Sequence, residues 1–346
     1  MTMVSKGVAF LTGATGFIGS RVLFLLCEQG WKVRALVRNP EKAGTGLEGW
    51  DTGMRQNVEF VKGDLFAGTP SDRMKLFSTC LDGAEFAIHL AEAKTQEKDF
   101  DVKNIKAVGL LLEAAAANES LQRFVLVSAF MAGGLPQPLP KILTEEMTGV
   151  EFPDRYYRWK RMAERLVMKT ASHSRFSFSI VRPALVYGPN AQWLVPMLKI
   201  IKRMGKYYLP LSNGGTALLG TVHVEDVANT IASSGWSDHA RNQIIHAADN
   251  GGTTYRDWIQ TIATTAGWKV HIGRIPPGFV YGTAKAADTV TALLNLHYGA
   301  NLWAQVLTVG CAYSNEKMVR IVGRLKNPTI YQGVPQMMEW FARTHP

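Results

Sequence analysis

Cysteine is scarce in this chain, with three residues in 346, at Cys27, Cys80 and Cys311, far apart and forming no CxxC pair. A disulfide scaffold is thereby excluded, and neither a zinc site nor a redox pair is indicated. The thiols read as core packing. Charge is sparse too, at 19% of positions against 47% hydrophobic, a balance that excludes an intrinsically disordered chain. No long basic run and no nucleic-acid motif is present. The N-terminal run has a single lysine before a short apolar segment that leads straight into a glycine motif, the wrong pattern for a cleaved signal peptide. A reducing, cytoplasmic setting is expected. The longest uncharged stretch, 289–315, is interrupted by Asn295, His297, Gly299, Asn301 and Gln305 and falls short of a transmembrane span. It reads as buried helix plus loop, with a peripheral membrane contact as the lesser alternative.

What the sequence does have is a basic surplus, 38 Lys and Arg against 28 Asp and Glu, a net charge of +10. Arg34, Arg38 and Lys42 hold part of it within a short span. Arg155, Arg158, Lys160, Arg161, Arg165 and Lys169 line one helix, where only Lys160 needs a chemical role. The first half alternates short β-rich runs at 7–12, 32–37, 58–62, 86–90, 124–128 and 178–182 with helical patterns near 17–29, 102–117 and 156–170. This rhythm predicts an α/β fold, a Rossmann-type doubly wound parallel sheet. After Gly188 the pattern turns irregular and aromatic, then returns to the sheet near 221–226 and 243–247. Two discontinuous units are expected: a dinucleotide-binding domain of 1–187 plus about 221–249, and a smaller, mostly helical substrate lobe of about 188–220 plus 250–346.

The segment Thr12-Gly13-Ala14-Thr15-Gly16-Phe17-Ile18-Gly19 follows a predicted strand and opens a helix. Gly13 turns the chain, Gly16 admits a pyrophosphate to backbone N–H groups, and Gly19 permits close helix packing. The second strand ends not in the acidic residue that binds a ribose 2′-hydroxyl but in Arg38, which suits a 2′-phosphate. NADP(H) is the expected cofactor, with Arg34, Arg38 and Lys42 where its phosphate would sit. Further along, Tyr156 and Lys160 stand at i, i+4 on one helical face, with the ammonium placed to lower the tyrosine pKa for acid–base work. Tyr157, one step around the helix, is the decoy.

These motifs, with VRALVRNP at 33–40, GDL at 63–65, HLA at 89–91, Asn104, RPALVYGP at 182–189 and VHVEDVA at 222–228, resemble the extended short-chain dehydrogenases/reductases over nearly the whole chain. The VRALVRNP segment is similar to that of the dihydroflavonol reductase and 3β-hydroxysteroid dehydrogenase group. The resemblance implies that Gly13, Thr15, Gly16, Phe17, Ile18 and Gly19 surround the pyrophosphate and that Arg38, with Lys42, meets the 2′-phosphate. It implies Asp64 and Leu65 at the adenine, Leu90 and Ala91 in the cofactor channel, and Pro183, Ala184, Leu185 and Val186 at the nicotinamide. Tyr156 would be the proton donor and Lys160 its helper. His89 and His223 serve packing and hydrogen bonding, and no metal is expected. Relatives of this kind often pair through the helix at 156–170, so a monomer or homodimer is expected.

Two positions depart from the family pattern. Where two adjacent hydroxyl residues normally follow the strand at 124–127, this chain has Ser128 and then Ala129, so the hydroxyl that meets the substrate oxygen is missing. Ser128 would point differently than usual, or a residue of 130–134 or the substrate would supply the bond, or the chemistry differs. Glu92 replaces a usually small residue beside the cofactor. The segment 218–223 lacks the arginine that holds a nucleotide-sugar diphosphate. A hydrophobic small-molecule substrate is expected instead, against Phe130, Met131 and Ala129, with Glu92, Trp193, Met197, Tyr207, Tyr208, Leu209, Phe152 and Trp159 as further candidates. The leading reading is an NADPH-dependent carbonyl reductase of a steroid-, terpenoid-, polyketide- or phenolic-type substrate. An epimerase, dehydratase or cyclase with a retuned site, and a non-catalytic NADP(H)-sensing protein, stand as alternatives.

Overall fold

Seven strands pair in parallel to make the central sheet: β1 (Val8–Thr12), β2 (Lys32–Val37), β3 (Val58–Lys62), β4 (Ala84–His89), β5 (Arg123–Val127), β7 (Ser177–Pro183) and β12 (Gln243–Ala247). The computed structural model describes residues 6–204, 207–293 and 299–345. The sheet order β12-β7-β5-β4-β1-β2-β3 reverses direction between β1 and β4. In open α/β sheets that reversal leaves a crevice beyond the carboxyl ends of the strands, where ligands bind.

Alternation along each strand builds a core on both faces. Ala9 and Leu11 join one apolar cluster with Val33, Ile88 and Val125, while Phe10 joins another with Leu36, Ala87 and Phe124. Strands buried on both sides read as near-continuous apolar runs, which is why they stood out in the sequence. Helix α1 (Phe17–Glu28) packs against α8 (Val224–Ser233), and α5 (Phe100–Ala117) packs between α4 (Pro70–Leu81) and α6 (Arg155–Ala171). Short helices α2 (Pro40–Thr45) and α3 (Thr52–Gln56) lie between β2 and β3.

The remaining strands form small parallel pairings above the sheet. The pair β8 (Leu185–Tyr187) and β11 (Thr221–His223) stands apart from the main sheet, and the helix begins at Val224. The expected return of 221–226 to the central sheet is therefore corrected: the segment is half strand, half helix. Strand β9 (Leu209–Ser212) pairs with β13 (Ile272–Ile275), and β14 (Gly310–Tyr313) lies between β6 (Ile142–Leu143) and β10 (Leu218–Leu219). A third apolar cluster joins α7 (Val195–Met204), α9 (Tyr255–Ala266) and α13 (Ile330–Thr344) through Leu198, Ile201, Trp258, Val334 and Phe341. Helices α10 (Pro277–Leu293), α11 (Ala300–Thr308) and α12 (Glu316–Val322) complete the chain order. The uncharged stretch expected at 289–315 thus divides among α10, α11 and β14, with 294–298 outside the described residues, as is 1–5. No helix of the described residues is long and apolar enough to cross a membrane.

Candidate active site

A cavity of about 850 Å³ opens at the reversal point of the sheet. Its floor is the β1–α1 connection. Gly13 adopts φ +77°, and a Cβ there would lie 2.9 Å from the Ala91 nitrogen. A Cβ on Gly19 would approach the Gly13 carbonyl oxygen to 2.0 Å, so only glycine lets α1 start this close to the loop. Helix α1 has no side-chain cap and no acidic residue in its first turn, leaving its N-terminal N–H groups and positive dipole end to an anion.

Beneath this loop, Thr12 Oγ1 accepts hydrogen bonds from the Leu90 and Ala91 nitrogens, each at 3.2 Å. Its own proton therefore goes to His89 Nδ1, 2.9 Å away. Burial holds the His89 pKa down to about 3, so the ring is a neutral brace between β1 and β4. His223 lies at the start of α8, with Nδ1 3.0 Å from Asn327 Nδ2. Among the described residues no group of three or more metal-ligating side chains exists.

Thr15, Gly16, Phe17, Ile18, Arg38, Asp64 and Leu65 line the floor of the cavity, and Leu90, Ala91, Pro183, Ala184, Leu185 and Val186 line its middle. Arg38 directly follows β2, is exposed and makes no ion pair among the described residues. Two of its expected companions are elsewhere. Arg34 is paired with Glu59 at 3.0 Å and donates to the carbonyls of Thr79, Cys80 and Asp82, so it ties β2 to the end of α4. Lys42 is exposed on α2 and is not part of the cavity wall.

At the opposite end, Asp154 accepts from the Tyr157 nitrogen at 3.0 Å and starts α6, which carries Tyr156 and Lys160 into the cavity. Lys160 is buried. Its Nζ donates to the Val127 carbonyl at 3.1 Å, lies 3.1 Å from Glu92 Oε2 and sits 4.2 Å over the Trp159 ring. Burial, then the carboxylates of Glu92 and Asp154, push the Tyr156 pKa upward. This corrects the expected lowering by Lys160, because Glu92 offsets the ammonium and the phenol is shielded from water.

Ser128 lies in the cavity wall, but its Oγ donates to Glu164 Oε1 at 2.5 Å. Glu164 in turn holds Arg182 in a bidentate pair, at 2.9 and 2.6 Å, and all three residues are buried. The Ser128 hydroxyl is thus directed to Glu164, whereas its expected catalytic place would need it on the substrate oxygen. Removing one partner of such a buried pair costs about 3–5 kcal/mol. Ala129 and Met131 are buried in the wall beside Phe130 and present no hydroxyl.

Trp193 lines the cavity while remaining 53% exposed, so it stands at the rim. Met197 does not reach the cavity, because α7 turns it onto the cluster around Trp258. Tyr207 and Tyr208 face solvent at 76% and 71% exposure, and Leu209 is buried in β9. Trp159 packs in the core behind Lys160, and Phe152 supports Tyr157 and Trp303 with ring centroids 5.2 and 5.3 Å away. Tyr157, read as a decoy, itself lines the cavity. Sequence reading also missed Tyr255, Trp303, Val306 and Tyr313, and took Cys311 for core alone, whereas it is both buried and part of the wall. They come from three separate elements, and no local spacing marks them. A second cleft of about 690 Å³ between α6, α10 and α11 shares Tyr156, Tyr157 and Trp303 with the cavity and is otherwise lined mainly by Val280, Ala284, Ala304 and Leu307.

Sheet order, glycine floor and helix-borne Tyr–Lys pair together define a dinucleotide-binding enzyme of the oxidoreductase or epimerase type. The chain belongs to the NAD dependent epimerase/dehydratase family, whose model matches residues 9–233, and so to the extended short-chain dehydrogenases/reductases. It is 27% identical over 327 residues to a 4-hydroxy-2-methyl-3-oxo-4-farnesyl-3,4-dihydroquinoline-1-oxide ketoreductase of Stigmatella aurantiaca, covering 91% of this chain and 86% of that one. A ceramide reductase of Caulobacter vibrioides is 27% identical over 305 residues, 85% of this chain and 82% of the relative. Among solved structures, gox2253 superimposes with a TM-score of 0.78 at 20% identity, covering 98% of each chain. MoeE5 bound to UDP-glucuronic acid and NAD gives a TM-score of 0.70 at 19% identity, over 98% of this chain and all of that one. These two likenesses concern the fold.

Proposed function

We propose that this protein is an NADP(H)-dependent reductase of a carbonyl on a hydrophobic small molecule. The observation that carries the reading is the cavity itself, which joins the glycine floor at one end to Tyr156 and an apolar wall at the other. The residues present fit the dinucleotide: glycine where a Cβ would collide, an uncapped helix N-terminus, and just after β2 an arginine with no ion pair among the described residues. Gly13 to Gly19 would hold the pyrophosphate, Arg38 the 2′-phosphate, Asp64 and Leu65 the adenine, and Pro183 to Val186 the nicotinamide. When bound, the cofactor supplies the hydride that reduces the carbonyl carbon.

The protein's own part is the proton. A buried phenol with a raised pKa is held as the neutral acid, so Tyr156 donates to the carbonyl oxygen as negative charge develops there. Lys160, fixed by the Val127 carbonyl and Glu92, positions the donor and the cofactor ribose. With Ser128 engaged by Glu164 and Ala129 lacking a hydroxyl, Tyr156 is the principal donor. The segment of 188–220 and 250–346 serves as the substrate lobe. The cleft between α10 and α11 extends the apolar wall beyond Tyr156 and suits a linear hydrophobic tail, each buried methylene stabilising by about 0.8 kcal/mol. The farnesyl and ceramide relatives support a substrate of this character.

Loss of NADPH absorbance in the presence of long-chain and polycyclic ketones tests the reading, together with dissociation constants for NADPH and NADH. Turnover and a preference for NADPH are expected; a preference for NADH would overturn the cofactor assignment. Glu92, a carboxylate inside the cavity and 3.1 Å from Lys160, favours a second reading, an epimerase or dehydratase. In that case NADPH is not consumed, and the substrate is converted to its epimer or loses water with no net change in the cofactor. Tight NADP(H) binding with neither reaction would leave the sensor reading.

A further inference from the structure

Between Glu164 and Glu225 the chain contains no acidic residue and eight Lys or Arg. Of these, Arg165, Arg175 and Arg182 pair with Glu151, Glu119 and Glu164, whereas the cations of α7 have no acidic partner among the described residues. An exposed portion of the stretch is α7, followed in sequence by the exposed Tyr207 and Tyr208. Leu194, Val195, Leu198 and Ile201 are buried against the lobe, so α7 is firmly seated on one face. The opposite face carries Pro196, Lys199, Ile200, Arg203 and Met204, all exposed, with Ile200 at 50% and Met204 at 41%. Trp193 precedes this stripe at the cavity rim, and the two tyrosines lie just beyond its far end. Lys199 and Arg203 make no ion pair among the described residues, and Lys202 reaches only the Trp268 ring, 5.9 Å away.

Exposed aliphatic and aromatic side chains interleaved with unpaired cations, without an acid, make the pattern of a helix that lies in a bilayer interface. We propose that the outer face of α7, with Tyr207 and Tyr208, docks the protein on an anionic phospholipid surface. The cations meet lipid phosphates, Ile200 and Met204 enter the headgroup and acyl boundary, and the tyrosines sit at the level of the headgroups. Nucleic acid would use the cations and tyrosines but has no place for Ile200 and Met204. Trp193 links this face to the cavity, so docking brings the mouth to the phase in which an apolar molecule dissolves. The inference does not depend on which reaction the cavity performs.

The full-length protein is sedimented with vesicles of phosphatidylcholine alone and of phosphatidylcholine with phosphatidylglycerol. Binding to the anionic vesicles only, weakened by salt, is expected. Lys199→Gln and Arg203→Gln are expected to weaken it about fivefold each, and Ile200→Glu with Met204→Glu to abolish it. Unchanged NADPH binding by these surface variants reports that they are folded. The proposal is overturned if the wild type ignores anionic vesicles or if the Glu variants bind as well as it does. It is equally overturned if sedimentation equilibrium shows a wild-type dimer that Ile200→Glu splits, which would make a second copy the occupant. Retention of single-stranded nucleic acid that survives Ile200→Glu would assign the face to that partner instead.

Discussion

The two ends of the one cavity are built in opposite ways. The cofactor end is local: a single connection between β1 and α1 carries Gly13, Gly16 and Gly19, and the neutral His89 braces it through Thr12. A Cβ at Gly13 or Gly19 would collide with neighbouring backbone, so the requirement there is for the absence of side chains. The substrate end is a convergence. Tyr156 comes from α6, Ala129 from the loop after β5, Tyr255 from α9, Trp303 from α11 and Tyr313 from β14. A dinucleotide is constant and a substrate is not, and chemistry that differs between relatives is expected to lie in the assembled half.

Substitutions at each end sharpen this contrast. The largest expected effect is at the convergent end: Tyr156→Phe lowers kcat by about 10²- to 10⁴-fold while leaving the dissociation constant for NADPH within a few-fold. If that variant turned over as fast as the wild type, the acid would have to be another group. At the cofactor end, Arg38→Ala is expected to weaken NADPH by about ten- to a hundredfold and leave NADH unchanged. Titration by cofactor fluorescence measures both, and equal losses would mean that Arg38 does not meet a 2′-phosphate. Ala129→Ser is smaller. It returns a hydroxyl to the wall beside Tyr156 and is expected to raise kcat about tenfold, less than the 10²–10³ that removal of a full oxyanion donor costs. A lower rate would show that the site needs the methyl group for substrate fit.

A separate effect, on stability rather than on binding or rate, comes with pH. Burial holds His89 and His246 at about 3 and His223 at about 4, below their usual 6.5. Their rings stay neutral in the fold but titrate once unfolded, so the stability they contribute is complete above pH 6.5 and is lost as the pH falls toward 4. Asp249 is displaced the other way, raised to about 6 by burial. Its contribution is present below 3.8 and lost as pH rises through about 6, which makes the acid limb shallower than the histidines alone would. Melting temperatures between about pH 7 and 4 are expected to fall on acidification, and a flat profile would contradict the buried neutral rings.

Legibility in the sequence follows the same division. Strands β2, β3 and β12 fall where their apolar runs predicted, β1 differs by one residue at its start, and β4, β5 and β7 differ by one or two residues at each end. Burial on both faces makes such runs visible without any tertiary information. The Tyr156–Lys160 pair is legible because one helical turn relates the two residues. Met197 failed because spacing alone does not say which face of α7 meets the lobe. Arg34 failed because the carbonyls that hold it, at Thr79, Cys80 and Asp82, arrive from a helix more than forty positions away.

By itself, then, the sequence determined the doubly wound sheet, the glycine floor, the arginine just after β2 and the missing hydroxyl at Ala129, since each is written within a few consecutive residues. Tertiary structure alone decided that Ser128 is turned to Glu164 and Arg182, that Glu92 stands against Lys160, and that Tyr255, Trp303, Cys311 and Tyr313 share one wall. The physical reason is that periodicity and backbone conformation are local properties of the chain. Hydrogen bonds and cavity walls, by contrast, join atoms whose separation along the chain carries no signal.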